Sequence, residues 1–287
     1  MARSDNLNEL ASMLGPLTFH FHHITRAMSS NEPLMHAVKH GHVEAVKEMC
    51  QQAQQRAAVS PMALNVALLF AAQRGHVSVV QHLCRLPADR GVKPGTWLNA
   101  PLRLASKNGH VQVVKWLCQL PLDRGVRPAI SDNLAVRLAA GNGHVDVVRF
   151  LCELPCERGV DPASHDNEAV GTAAECGDIT TMRLLLSLPR ARGVDKHVAL
   201  QRAFTSPIPR AADVVRYLCY HLPPSRRFCE ADLTEACTWD KASPVCVAVA
   251  KEAVVWHRRA VVWHRRAPLL RLWSLRRQFR GSMAHIC

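Results

Sequence analysis

Histidines at 42, 76, 110 and 144 and cysteines at 50, 84, 118 and 152 are the side chains with most capacity for chemistry, and each set recurs every 34 residues. Imidazole and thiolate are zinc ligands, and a thiolate is also a nucleophile. The interval argues against both uses. If each copy is one layer of packed helices, neighbouring layers lie about 8–10 Å apart, whereas zinc holds its ligands at about 2 Å. That separation is also too wide for disulfides between neighbouring copies. The histidines are therefore read as turn caps and the cysteines as small buried hydrophobes.

Other constellations are weaker. His20, His22 and His23 lie close in sequence to His36 and His40, which are spaced i,i+4, but no Cys or carboxylate joins them at ligand spacing, so no metal is assigned. Cys152 and Cys156, or Cys229, Cys237 and Cys246, form no Cys-x-x-Cys element. Gly141-Asn-Gly143 lacks the third glycine of a dinucleotide loop, and neither a Gly-x-Ser-x-Gly elbow nor a phosphate-binding loop occurs. The reading is a non-enzyme with no cofactor.

The interval itself is the stronger signal. Gly41, Gly75, Gly109 and Gly143 each precede His-Val, and Gly177 continues the grid as Gly-Asp-Ile. Leu-Pro-x-x-Arg-Gly-Val returns at Leu86–Val92, Leu120–Val126, Leu154–Val160 and Leu188–Val194. A constant period of this size means one supersecondary unit copied in tandem. In the clearest copy, Pro101 to His110 reads as a short helix closed by a glycine in the left-handed conformation. Val111, Val114, Leu117 and Cys118 then mark one buried face of a second helix, which Pro121 ends. Asp132-Asn133 is expected to cap the helix that follows.

The run Ala100-Pro-Leu-Arg-Leu-Ala-Ser-Lys-Asn-Gly-His-Val-Gln-Val-Val-Lys-Trp-Leu-Cys118 resembles an ankyrin repeat, and Leu138 to Leu151 matches nearly as well. The resemblance covers roughly residues 31 to 222, with five copies beginning near Asn31, Pro61, Ala100, Ser131 and Asp166 and two degenerate ones after them. It departs from the family pattern in an incomplete Thr-Pro-Leu-His start and in the Leu-Pro-x-x-Arg-Gly-Val loop. Ala129-Ile-Ser-Asp132 is shorter than the family's β-hairpin finger. The expected fold is an all-α solenoid of stacked helix-turn-helix repeats with short or reduced hairpin loops. Residues 1–30 are assigned to an N-terminal capping segment, with a helix over Asp5 to Leu14. Residues 31–228 are assigned to the solenoid, 229–250 to a degenerate capping repeat and 251–287 to an Arg/Trp-rich basic tail.

The resemblance implies a protein-binding scaffold or adaptor whose partners dock along the concave side. Positions that differ between copies, where the loop enters the first helix, are the candidate contacts. They are Trp97, Asn99, Arg103 and Lys107, then Ile130, Asp132 and Arg137, then Asp161, His165 and Glu168. Aromatic and Arg side chains are the usual anchors of such interfaces.

Charge supplies the alternative. The chain carries a formal +13, but residues 251–287 hold one Lys, eight Arg and one Glu, a net +8 that leaves +5 for the first 250. Ala253-Val-Val-Trp-His-Arg-Arg259 is repeated without change as Ala260 to Arg266. Arg258, Arg259, Arg265, Arg266, Arg271, Arg276, Arg277 and Arg280 could contact nucleic acid or anionic membrane, or serve nuclear import. A loosely structured duplication is the competing reading, and the sequence leaves both open. No stretch reads as a signal peptide or membrane span. With the thiols expected to be buried and reduced, the cytoplasm is the expected compartment and the nucleus the alternative.

Overall fold

The computed structural model describes residues 21–56, 59–222, 228–239, 241–256 and 258. The helix expected over Asp5 to Leu14 lies outside them. So do Arg259, Arg265, Arg266, Arg271, Arg276, Arg277 and Arg280 of the tail. Among the described residues every regular element is helical. Two compact units form: one comprises residues through Ala173 together with Thr180–Val198, and the other Ala174–Ile179 together with residues from Ala199 onward.

The first unit is an all-α repeat solenoid. Its helices, in chain order, are α1 (Phe21–Ser30), α2 (Glu32–Lys39), α3 (Val43–Arg56), α4 (Pro61–Arg74), α5 (Val77–Arg85), α6 (Thr96–Lys107), α7 (Val111–Gln119), α8 (Ile130–Gly141), α9 (Val145–Glu153), α10 (Ser164–Glu175) and α11 (Ile179–Ser187). First helices stack in the order α2, α4, α6, α8, and second helices in the order α3, α5, α7, α9. A first helix is shared between two neighbours, so its apolar residues run round it. In α4, every residue from Ala63 to Gln73 is buried. A second helix is apolar on one face only, as Val113, Val114, Leu117 and Cys118 show in α7.

Three ladders of side chain to main chain join successive repeats. In the first, Asn65, Asn99, Asn133 and Asn167 each accept the N–H of the residue 28 positions on: Lys93 at 2.8 Å, Arg127 at 3.2 Å, Asp161 at 2.9 Å and Asp195 at 2.9 Å. Asn99 also donates to the Arg127 carbonyl at 3.0 Å. In the second, the ring N–H at Nε2 of His76, His110 and His144 donates to the carbonyls of Lys39, Gln73 and Lys107, at 2.8–2.9 Å. Those carbonyls close the first helix of the preceding repeat, so each histidine caps its neighbour. The ring lies so close to the previous turn that a Cβ on Gly75, at φ +78°, would meet His110 Nδ1 at 2.5 Å. In the third, the Arg of each Leu-Pro-x-x-Arg-Gly-Val reaches a carbonyl near the end of an earlier second helix. Arg124 donates to Cys84 at 2.9 Å, Arg158 to Leu120 at 3.2 Å and Arg192 to Cys152 at 3.4 Å.

The cap expected from Asp132-Asn133 is not made. The second to fourth residues of α6, α8 and α10 instead form one left-handed turn, with φ between +48° and +61° at Trp97-Leu98-Asn99, Ser131-Asp132-Asn133 and His165-Asp166-Asn167. Each turn aims its asparagine into the next loop, so Asn133 serves a neighbouring repeat and not its own helix. Together with a short 3-10 turn such as Leu122–Arg124, this turn occupies the place of the family's hairpin finger.

The second unit contains most of α12 (Lys196–Thr205), then α13 (Ala211–Tyr220), α14 (Glu230–Ala236) and a helix over residues 244–256. Its core is closed by Ser243 N–H donating to the Phe204 carbonyl at 2.8 Å and by Trp239 packed edge-on to Phe204. Ser206 replaces a repeat histidine here, donating to the Glu175 carbonyl at 2.8 Å.

Two predictions follow from the ladders and the buried thiols. Asn99→Ala leaves the Arg127 peptide groups unmatched and places a Cβ-bearing residue without local support in the left-handed region, at a cost of about 2–4 kcal/mol. Asn99→Gly relieves the backbone share alone, and Asn142→Ala, which loses only a local bond to Leu138, costs less than about 0.5 kcal/mol. Urea midpoints should rank in that order. Burial pushes the Cys84 and Cys118 thiols up to about 12 against the pull of Arg124 and Arg158, while an unfolded thiol ionises near 9.0. The folded value is the higher one, so this contribution to stability is complete below pH 9 and lost as pH rises toward 12. At pH 10 the loss is about 1 kcal/mol per thiol, and a Cys84→Ala/Cys118→Ala variant should show a shallower decline of urea midpoint with pH.

Candidate functional site

The left-handed turns and the residues that the asparagines clasp form two rows along the first unit. Lys93, Arg127, Asp161 and Asp195 occupy equivalent positions, because each gives its N–H to an asparagine of the same grid. Beside them run Leu98, Asp132 and Asp166, the central residues of the three turns, all exposed. Ser164 Oγ donates to the Asp132 carbonyl at 3.0 Å and ties one turn to the next. With the main chain held this way, the side chains of both rows are left to vary.

Of the positions expected to make contacts, Trp97, Asp132 and His165 lie in the turns and Asp161 in the clasped row, while Ile130 precedes a turn and Arg103, Lys107, Arg137 and Glu168 lie further along α6, α8 and α10. Asp132, Asp161 and His165 are exposed, and Trp97, Arg103, Lys107, Ile130, Arg137 and Glu168 are half-buried. Asn99 is a correction. It is 0 % exposed and recurs in every layer, so it is part of the framework and offers nothing to a partner. Its type and spacing, repeated at 65, 133 and 167, were visible in the sequence as a further 34-residue grid. Leu98 is the residue that sequence reasoning passed over: at 48 % exposure it is an apolar side chain standing in solvent beside Trp97. Nothing in its local pattern marks it, because only the left-handed turn directs it outward.

The electrostatics vary along the rows. Arg137 is ion-paired with Glu168 of the next repeat and donates to the Asp132 carbonyl at 3.3 Å. His165 Nδ1 lies 3.5 Å from the same Glu168 carboxylate. One oxygen of Asp161 accepts the Ala163 N–H at 2.9 Å, and Asp195 accepts from His197 at 2.8 Å. The Arg103 guanidinium is held below its ordinary value by burial. In the second unit, Arg258 of the tail is ion-paired with Glu230 at 2.6 Å.

The thiols have no role in such a site. Cys50, Cys84, Cys118, Cys152 and Cys219 are all free and buried, and burial raises Cys152 to about 11 and Cys219 to about 12. They are protonated and poor nucleophiles at neutral pH. The His36 and His40 rings lie 4.5 Å apart between centroids, but no group of three or more His, Cys, Asp or Glu arranged to hold a metal occurs among the described residues. An open depression of about 320 Å³ is lined by Gln73, Arg74, Asn108 and His110. Its polar groups already serve the repeat junction, since Asn108 and His110 both donate to the Gln73 carbonyl. No helix among the described residues is long and apolar enough to cross a membrane.

No curated protein gives a significant match to the chain. The family model described as ankyrin repeats, in three copies, matches residues 68–166 and 102–198. Such repeats are general protein–protein interaction modules. The match falls on helix pairs whose first and second members stack separately, joined at the Gly-His-Val turn or its Gly-Asp-Ile counterpart, and it identifies residues 68–198 as ankyrin repeats.

Proposed function

We propose that the protein is a non-catalytic scaffold or adaptor that captures a protein partner on the two rows formed by its left-handed turns. One observation carries this reading. Trp97 and Leu98, bulky residues with no local means of relieving a positive φ, are held at +48° and +55°. The equivalent places in the next two repeats are taken by Ser131-Asp132 and His165-Asp166, types better suited to that region. A strained backbone that displays a Leu in solvent beside a half-buried Trp is a costly arrangement, and such arrangements concentrate where binding uses them. An aromatic and an aliphatic side chain within a ring of charged ones is the usual make-up of an interface centre. The buried, protonated thiols support a reducing compartment such as the cytoplasm.

Photo-cross-linking from Leu98 in the full-length chain identifies the partner, and binding to that partner is then measured. Trp97→Ala/Leu98→Ala should weaken binding about thirtyfold or more, with the urea midpoint used to confirm that the repeats stay folded. Truncation after residue 250 should leave binding unchanged. Loss of binding on truncation, with the double variant intact, would reject the docking face in favour of the basic tail as the active element.

A further inference from the structure

The two rows change sign halfway along the unit, and this rests on the reading that they are the docking face. Lys93 and Arg127 head the row in the layers clasped by Asn65 and Asn99, and the second of those layers adds the exposed Leu98. In the layers clasped by Asn133 and Asn167, the same positions hold Asp161 and Asp195, and Leu98 is succeeded by Asp132 and Asp166. Two exposed cations and an exposed apolar side chain thus stand on one half, and four carboxylates, three of them exposed and Asp195 half-buried, on the other. Of the cations beside the acidic half, Arg137, which reaches the Asp132 carbonyl, is already paired with Glu168, and Lys196 follows Asp195 directly, so the four carboxylates still outnumber them. Asp161 and Asp195 each commit one oxygen to a local N–H and keep the other.

We infer that the partner is an extended peptide segment of another protein with an acidic block and a basic block meeting at an apolar residue. The acidic block lies over Lys93 and Arg127, the apolar residue over Trp97 and Leu98, and the basic block over Asp132, Asp161, Asp166 and Asp195. Layers about 10 Å apart accommodate about three residues each of a chain rising about 3.3 Å per residue. The four layers therefore fit about twelve residues, about five of each sign flanking an apolar join. Charges placed this way select the partner's orientation and reject uniformly charged segments, which one half of the face repels.

Fluorescence anisotropy with the full-length protein tests this. The probes are labelled peptides of about five acidic residues, a Leu-Gly join and about five basic residues, synthesised in both chain directions, against a control of identical composition with alternating charges. One block peptide should bind about tenfold or more tightly than the control at low salt, and the advantage should shrink as salt rises. In Arg127→Glu/Asp161→Lys that preference should disappear. Equal binding of block and alternating peptides overturns the inference. So does a preference that survives the charge swap, which would assign the acidic block to the basic tail. A dimer in sedimentation whose formation excludes the block peptide and is abolished by the same swap would make a second copy the occupant, and it also overturns the inference. If Trp97→Ala/Leu98→Ala abolishes capture of the cross-linked partner while the block peptide shows no advantage, only the charge-block reading fails and the docking face stands.

Discussion

The clasp between one asparagine and the main chain 28 residues later governs the rest of this structure. A loop that joins helix pairs must satisfy its peptide groups, and in a solenoid no β-sheet is available unless fingers pair with one another. Here Asn99 supplies both an acceptor and a donor to the single residue Arg127, from a position with no solvent exposure. Each loop is thereby matched by the repeat before it and matches the repeat after it. Stability becomes a sum of neighbour terms, as expected for quasi-one-dimensional stacks, and the geometry of every layer is copied to the next.

The histidine and arginine ladders answer a second need. Helix ends leave carbonyls without partners, and short helices have proportionately more of them. His110 closes the end of α4 through the Gln73 carbonyl, and Arg124 reaches the Cys84 carbonyl near the end of α5. This explains the side chains around them. Gly75 must lack a Cβ because the His110 ring fills that space. The cysteines stand where a small apolar group must fit beneath a crossing guanidinium, and the neighbouring charge lowers their acidity range less than burial raises it.

Helix pairs, their order and their buried faces were legible because they follow from periodic hydrophobicity and from glycines at fixed intervals. The histidine array was legible as structure, since the layer spacing forbids convergence on a metal; that its donors reach back 37 residues was not, because a hydrogen bond between layers leaves no local pattern. Asn99 was misread as a variable contact when its own grid marked it as framework. Asn133 was misread as a cap for a related reason: an Asp-Asn pair before a helix favours capping locally, and only packing on Asp161 makes the left-handed turn preferable. Asp132, Asp161 and His165, among the candidate contacts, are exposed, since polar residues at positions that differ among copies have no core to enter, whereas Trp97, Arg103, Lys107, Ile130, Arg137 and Glu168 are half-buried.

The left-handed turn links framework to display. Replacing a hairpin finger with three residues at positive φ sacrifices about 1–2 kcal/mol per non-glycine residue, and the third residue recovers part of it through the clasp. A glycine in the middle position would be the less strained choice, yet the chain carries Leu98, Asp132 and Asp166 there. All three are exposed, Leu98 at 48 %, and bury too little to offset the strain. Packing therefore does not account for them. What differs among the three is apolar against acidic, in step with the change from Arg127 to Asp161 in the adjoining row. A main chain identical from layer to layer, carrying side chains that change character together, is the arrangement that recognition of a linear, oriented partner requires and that stability alone does not.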